Sequence, residues 1–317
     1  MLLKGNTINY EWQANWGSLN GEATHSHGGI VEDSKGNYYL SFNDAPYVRV
    51  FDKDGNQLRS FDGSGKDIHC LTVSKDSEGE WLWDLSLATG KVTKSTLDGI
   101  AVKSISREDF NLDEGERFGI TAMTIDPQTN NLWVTDGYGR YSKGTGGNKV
   151  YCFNQDLELQ FSFDGTEAEC GSLQEPHWII ADTRKDKTEI YIADRANNRI
   201  VIYSNEGKFL RTIEQGLITP SGFSIFEDKL VCVELKGRLH IIDINDNIIE
   251  TFADGSEYTQ IPGWPNRLQD EKGICPLPCI EEGKFNSPHG VYADKEGNII
   301  VHEWLLGIRI TKLKKVS

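Results

Sequence analysis

The chain has 317 residues, of which 38% are hydrophobic and 10% aromatic, so it can bury a sizeable core. Its formal net charge of −15 argues against binding to the phosphate backbone of a nucleic acid. The sequence has neither the run of roughly 18 apolar residues that a membrane span needs nor a signal-peptide segment after Met1. We therefore expect a cytoplasmic monomer without nucleic-acid or membrane partners, unless a signal peptide has been removed.

The first predicted element is a lone β-strand within residues 1–17. The stretch from Ile8 to Gly17 alternates aromatic and polar side chains, a pattern typical of a half-buried strand. No other strand of the same unit precedes it. We therefore expect it to pair with a distant part of the chain.

A short phrase with histidine in its second position then recurs along the chain. Its four copies are Ser26-His27-Gly28, Ile68-His69-Cys70, Pro176-His177-Trp178 and Pro288-His289-Gly290. Two further units, which begin near Thr121 and Pro220, have the same pattern without the histidine. A repeat of this size cannot bury its apolar face alone, so the copies must stack into one architecture.

Each unit continues as a run of short strands separated by tight turns. In the first unit the strands are Tyr38–Phe42, Tyr47–Phe51 and Gln57–Phe61, and Lys35-Gly36-Asn37 and Asp54-Gly55-Asn56 supply the turns. Four short strands joined in this way form an antiparallel meander.

The sixth unit lacks its fourth strand, because only three strands follow Pro288. The lone strand of residues 1–17 could serve as this fourth strand. Its pairing with the sixth unit would remove the exposed edges of the first and last blades. The sequence therefore predicts an all-β, six-bladed β-propeller over residues 1–317 as a single domain, closed by the N-terminal strand.

The histidines of the phrase predict a metal site in the central channel. Equivalent residues of the first strand meet around the axis, and blades 2, 4 and 6 alternate, so His69, His177 and His289 would stand about 120° apart. Three neutral imidazoles with an open fourth position form a catalytic zinc site, or one for a similar divalent ion. His27 is an alternative or additional ligand. A structural role in capping or packing is the alternative for each. For the three remaining histidines, His25, His240 and His302, we expect surface or strand-packing roles.

Six cysteines show no metal-ribbon spacing. Cys275 and Cys279 are the only close pair, and a disulfide between them stays an alternative to the free thiols that we expect.

The recurring phrase, with Asp, Gly-Asn-Ile and Asn-Arg-Ile after it, resembles the NHL repeat over essentially the whole chain. Residues 134–210 resemble the peptidyl-α-hydroxyglycine α-amidating lyases through Thr135-Asp136-Gly137-Tyr138, Pro176-His177 and Ala193–Ile200. The resemblance implies that the three histidines hold zinc, that Tyr138 is the catalytic base and that Arg195 binds a substrate carboxylate. The alternatives are a ring-stacking role for Tyr138 and, for Arg195, an ion pair with an aspartate of a neighbouring blade.

The sequence departs from this family at several positions. Asn43 occupies the slot of a second catalytic arginine, and Gly290 that of a calcium-ligating acid. Other family residues, a methionine and three cysteines, are replaced by Ser287, Gly139, Tyr191 and Ile202. The family's calcium site and disulfides are therefore not expected here.

These features predict a zinc-dependent carbon–nitrogen lyase that acts on a small-molecule or peptide substrate with a carboxylate. Hydrolysis at the same metal site is one alternative, because an open coordination position can generate hydroxide near neutral pH. A non-enzymatic NHL scaffold that binds a partner protein is the other, since the fold alone does not decide function. A carboxylate-metal lactonase propeller would need Glu and Asn ligands, and the histidine ring argues against it.

Overall fold

The structure is a computed structural model that describes residues 1–19, 25–138, 147–266, 268–270, 273–275 and 280–316. Within these ranges the chain forms six antiparallel blade sheets, one for each blade of the predicted six-bladed β-propeller, and two small two-stranded sheets, Leu268–Asp270 with Gly273–Cys275 and His25–Ser26 with Leu305–Leu306. Helical structure in the same ranges is confined to short 3-10 turns, and no helix found there is long and apolar enough to cross a membrane. The predicted fold class is confirmed.

The strands of each blade are named a to d in the order of their pairing. Blade 1 consists of Ile30–Glu32, Tyr38–Ser41, Val48–Phe51 and Gln57–Phe61, and blade 2 of Ile68–Lys75, Glu80–Ser86, Lys91–Thr96 and Ala101–Ile105. Blade 3 consists of Ile120–Ile125, Leu132–Asp136, Lys149–Phe153 and Leu159–Phe163, and blade 4 of Pro176–Asp182, Glu189–Asp194, Arg199–Ser204 and Phe209–Ile213. Blade 5 consists of Pro220–Phe226, Lys229–Glu234, Arg238–Ile242 and Ile248–Phe252. Blade 6 takes strands a to c from Pro288–Ala293, Ile299–Glu303 and Ile310–Lys315.

Strand d of blade 6 comes from the N-terminal part of the chain, as predicted. Asn9–Gln13 pairs antiparallel with Ile310–Lys315, and Trp12 lies opposite Leu313. The strand ends at Gln13 and not at Gly17, because Asn15 has a left-handed backbone with a φ of 58° and a 3-10 turn follows. Outside it, Leu2–Lys4 adds a fifth strand that the sequence did not predict.

The closing strand is held by its aromatic side chains. Tyr10 and Trp12 are buried on one face, whereas Glu11 between them is exposed. The Tyr10 ring packs edge-on against Phe252 of blade 5 with 5.4 Å between centroids, and the Trp12 ring lies 4.9 Å from that of Phe285. Buried apolar surface therefore stabilises the pairing of the closing strand, in addition to the backbone hydrogen bonds.

The cysteines in the described ranges are reduced where their side chains are described. Cys70, Cys152, Cys170 and Cys232 are free thiols, as expected. The side chain of Cys275 and the whole of Cys279 lie outside the described residues, so the alternative of a disulfide between them stays a prediction.

Deletion of residues 1–13 should cause aggregation, because it removes two buried aromatic rings and exposes the edge of Ile310–Lys315. Size-exclusion chromatography and thermal unfolding would measure this. Deletion of residues 1–4 is the control, since it removes only the outermost strand and should leave a soluble protein that unfolds cooperatively. The same behaviour from the longer deletion would show that the ring does not depend on this junction.

Candidate functional site

The channel-facing residue of strand a sits on a β-bulge in five of the blades. In blade 4, for example, Pro176 lies opposite Asp194 and Trp178 opposite Ala193, so His177 has no partner across the ladder. A bulge re-aims the side chain of its extra residue. The bulged residue is buried in each of these blades: His69, Thr121, His177, Ser221 and His289.

Glycines next to the bulges let the blades approach one another closely. A Cβ atom on Gly290 would collide with the carbonyl oxygen of Gly28 in blade 1, and one on Gly222 would collide with that of His289. Only glycine tolerates such an approach of two backbones. This packing brings the first residues of the six blades into one small space.

Three of the bulged histidines form a nearly equilateral triangle, as their alternating blades predicted. The ring centroids are 5.0 Å apart for His69 and His177, 4.9 Å for His177 and His289, and 4.7 Å for His69 and His289. One ligand nitrogen from each lies within 4.8 Å of the others, and all three side chains are buried. The arrangement could hold a metal ion.

Hydrogen bonds define the protonation of this cluster in part. His69 Nδ1 lies 2.6 Å from the carbonyl oxygen of Thr121. Because a carbonyl only accepts, His69 carries its proton on Nδ1 and leaves a lone pair on Nε2. That Nε2 atom is buried and has no hydrogen-bond partner among the described residues. The Nε2 atoms of His177 and His289 face each other at 2.8 Å.

His27 of blade 1 lies against the same triangle. Its ring is 4.8 Å from that of His69 and 5.1 Å from that of His289. The Asp67 carboxylate accepts a hydrogen bond from the Asn43 amide, so the Asn43 oxygen is turned to His27 Nδ1 at 3.1 Å. His27 therefore also donates through Nδ1 and has its lone pair on Nε2. Asn43 fills the slot of the missing arginine with this contact.

The four imidazoles are kept neutral by their surroundings. Burial lowers the pKa of His27 to about 4, against the opposing effect of the hydrogen bond with Asn43. For His69, His177 and His289, burial is the largest cause that lowers the pKa well below its ordinary value. Repulsion from Arg195, and the repulsion that two protonated imidazoles would exert on each other, act in the same direction. Neutral imidazole is the form that binds a metal ion.

Tyr138 lies beside the triangle, in the loop after strand b of blade 3. Its ring is stacked on His177 with 6.4 Å between centroids and meets His69 at 6.1 Å. Its backbone N–H donates to Gly119, whose own N–H donates to Asp136 at 2.8 Å. Tyr138 thus makes the ring-stacking contacts of its structural alternative in a position that also suits the catalytic one.

Arg195 ion-pairs with a glutamate of its own blade. Its Nη2 atom lies 3.2 Å from Glu175 Oε2, in the loop before strand a of blade 4. An ion pair with an aspartate of a neighbouring blade stays a prediction. Arg195 lines the same cleft as His177 and Tyr138. Its guanidinium has five N–H donors in a planar fork.

The cleft above the histidines has a volume of about 380 Å³. Apart from the predicted residues, Lys236 of blade 5, Trp264 and Trp304 line it. The sequence analysis missed all three, because they lie in loops outside the repeated phrase. The exposed Lys236 adds a second cation, and the two indoles add apolar walls.

The other histidines differ from this cluster in position. His240 and His302 are buried on strands c of blade 5 and b of blade 6, and the ring of His302 packs against Phe42 at 5.4 Å. The side chain of His25 lies outside the described residues.

Comparisons with known proteins show relatedness in fold. The chain matches no protein-family profile and no curated protein by sequence. It is similar to the solved structure of a streptogramin B lyase, with a TM-score of 0.59 and 17% identity over 97% of this chain and 98% of that chain. A catalytically inactive His→Ala variant of virginiamycin B lyase from Staphylococcus aureus, with quinupristin, has a TM-score of 0.60 and 18% identity over 97% and 100%. A gluconolactonase from Xanthomonas campestris has a TM-score of 0.63 and 13% identity over 97% and 90%.

Replacement of Asp136 by Asn should change how stability depends on pH. Burial raises the pKa of Asp136 from 3.8 to about 6, so the folded protein binds this proton more tightly than the unfolded chain and loses stability as pH rises through that range. Asn keeps an acceptor for Gly119 and cannot ionise. Between pH 5 and pH 8, wild type should therefore lose about 1–2 kcal/mol relative to the Asp136→Asn variant. Urea unfolding at both pH values measures the difference, and a difference that does not change with pH would contradict the assignment.

Proposed function

We propose that this protein is a metal-dependent lyase of the peptidyl-α-hydroxyglycine amidating type, built on NHL-type repeats, that acts on a small substrate bearing a carboxylate. The observation that carries the proposal is the triangle of buried imidazoles from blades 2, 4 and 6, with Tyr138 stacked beside it and Arg195 in the same cleft. The recurring histidine phrase and the sequence around Tyr138 and Arg195 support the finer assignment.

The residues of the triangle fit a zinc or similar divalent ion. His69, His177 and His289 would hold it, and the buried lone pair of His69 Nε2 supports this. A buried acceptor without a partner is costly unless a ligand satisfies it. Zinc takes three histidines and keeps a fourth position open in catalytic sites. When bound, the ion would polarise the hydroxyl or carbonyl oxygen of the substrate.

The remaining side chains would position the substrate and move its proton. Arg195 would bind the carboxylate, because its planar guanidinium can make two charge-assisted hydrogen bonds to the two carboxylate oxygens. Tyr138 would take the hydroxyl proton of a carbinolamine as the carbon–nitrogen bond breaks, and the departing nitrogen would receive a proton in return. A phenol acts as a base near neutral pH only where nearby positive charge lowers its pKa. Arg195, which lines the same cleft as Tyr138, would supply such charge.

His27 would be an additional ligand or would face the substrate from blade 1. Its Nδ1 proton is engaged by Asn43, so its lone pair lies on Nε2, the atom that would serve in either role. Asn43 in place of a second arginine argues for a substrate other than a peptidyl-α-hydroxyglycine, or for slower turnover of it.

The structural neighbours support a catalytic role for a propeller of this kind. Two of them are lyases, and one of these is inactive as a His→Ala variant. The gluconolactonase among the neighbours supports hydrolysis at the same histidine site as the second candidate function of this protein. A hydrolase would add a water oxygen to the acyl product, whereas a lyase would release that part as an unlabelled amide. Analysis of the acyl-containing product, which does not exchange its oxygen at neutral pH, in ¹⁸O-water therefore separates the two.

Purified protein should contain about one equivalent of zinc or a similar divalent ion. The variants His69→Ala, His177→Ala and His289→Ala should each lose most of the metal, because only two imidazoles of the triangle then remain to bind the ion. Elemental analysis after dialysis measures the stoichiometry. His240→Ala, which removes a buried histidine from strand c of blade 5, is the matched control and should keep the metal. Full stoichiometry in all three single variants would contradict the ligand assignment.

Tyr138→Phe should lower kcat by roughly 10²–10⁴, the usual contribution of a positioned acid or base, and leave the metal content unchanged. Phe keeps the stacking on His177, so a loss of activity would show that the Tyr138 hydroxyl is needed.

Arg195→Ala should raise KM most for substrates with a carboxylate, because it removes a charge-assisted contact with that group. Glyoxylate release from an N-acyl-α-hydroxyglycine is the assay. No glyoxylate from metal-replete wild type would exclude the amidating reaction.

A further inference from the structure

Trp178 is a large residue at a position where the other blades with a bulge have a small one. The residue that follows the bulged residue on strand a is Cys70, Ala122, Gly222 and Gly290 in blades 2, 3, 5 and 6. In blade 4 it is Trp178. The four small residues leave space beside the channel axis, and an indole is large enough to fill it to the close packing of a protein interior.

The indole of Trp178 extends from blade 4 towards the far side of the channel. Its ring centroid lies 6.1 Å from that of His69 in blade 2 and 6.0 Å from that of His289 in blade 6. The third histidine of the triangle, His177, directly precedes it in the chain. Because the rings of His69 and His289 are only 4.7 Å apart, the indole lies next to the triangle and close to the channel axis.

The indole lies on the side of the triangle that faces away from the cleft. His177 and His289 line the cleft of about 380 Å³ that also contains Arg195. Trp178 belongs to the described lining of neither this cleft nor the neighbouring one over blades 1, 2 and 3. Its side chain is buried, with 5% of the residue exposed.

Solvent reaches the channel again beyond the indole. Thr72, Ile125 and Ile180 lie farther along strand a of blades 2, 3 and 4, and all three are partly exposed. Strand a is the innermost strand of its blade, so this exposure comes from the lower part of the channel or from its mouth. Trp178 therefore stands between a part of the channel that water reaches and the buried imidazoles.

We propose that Trp178 is the floor of the metal site, a positioning residue that closes the channel beneath the histidine triangle and leaves the cleft side for the exchange of ions, water and substrate. This inference rests on the proposed function, because it takes the triangle to hold the ion. The apolar shell of a metal site controls the access of solvent to it. With the indole in place, the position that catalytic zinc keeps open would lie on the side of Tyr138 and Arg195. Without the indole, water from the lower channel would compete for that ion.

The rate of zinc release tests the floor without an assay of turnover. Zinc-loaded protein is mixed with an excess of the chelator 4-(2-pyridylazo)resorcinol, and the absorbance of the zinc–chelator complex is followed. Trp178→Ala should release zinc roughly tenfold faster than wild type, because the ion gains a second route to solvent. Trp178→Phe, which keeps an aromatic ring, should lie between the two. Trp178→Leu, which is too short to cross the channel, should behave like the alanine variant and replaces it if that variant does not fold.

Cobalt in place of zinc gives a second readout that does not depend on turnover. The visible absorption of Co²⁺ weakens as its coordination number rises above four. At equal metal content, Trp178→Ala should therefore absorb more weakly than wild type, because water from the lower channel can then bind the ion.

Trp83→Ala is the matched control. Trp83 is also 5% exposed, but its indole belongs to blade 2 and donates to Ser74 Oγ at 2.9 Å. This variant loses a similar buried ring and should keep the wild-type release rate and cobalt absorption, while thermal unfolding compares the stability of all variants. Equal acceleration in Trp83→Ala, or wild-type values in the alanine and leucine variants of Trp178, would overturn the floor and leave the histidine site intact. Failure of wild type to bind either metal would instead overturn the proposed metal site, and the floor with it.

Discussion

The site depends on one backbone irregularity that is repeated around the ring. The bulge near the start of strand a turns one side chain out of the ladder in each of five blades, and glycines beside it let neighbouring blades come close. Without the bulge, that side chain would follow the strict alternation of a strand and pack between sheets. With it, residues separated by more than two hundred positions share a space only a few ångströms wide.

The electrostatic character of the central channel depends on where the nearby carboxylates make their hydrogen bonds. The acidic residue that ends strand b in blades 3 to 6 accepts hydrogen bonds from backbone N–H groups of the preceding loop: Asp136, Asp194, Glu234 and Glu303. The described metal-competent group at the centre consists of imidazoles alone. A strongly acidic protein thus surrounds a neutral nitrogen cluster, and buried lone pairs without protons are what a cation binds.

The fold and the histidine triangle could be predicted from the sequence because both follow from repetition. Once six copies are aligned, position in the copy fixes depth in the channel, and the alternation of blades fixes the angle between His69, His177 and His289. Loop contacts carry no such period, so neither the pairing of Arg195 with Glu175 nor the approach of Trp304 could be derived. The sequence analysis also placed the end of the closing strand too late. Aromatic and polar side chains continue to alternate after Gln13, but the left-handed backbone at Asn15 ends the strand there.

The pairing of Asn9–Gln13 with Ile310–Lys315 has a consequence for how the site is assembled. It joins residues about 300 positions apart, so among the described strand pairings it closes the longest loop and has the largest loop-closure cost. His289 belongs to the blade that this contact completes. During synthesis, the histidines of blades 2 and 4 are therefore made well before the third, His289. A chain made only to the end of blade 5 contains two of the three imidazoles that could together hold a metal ion.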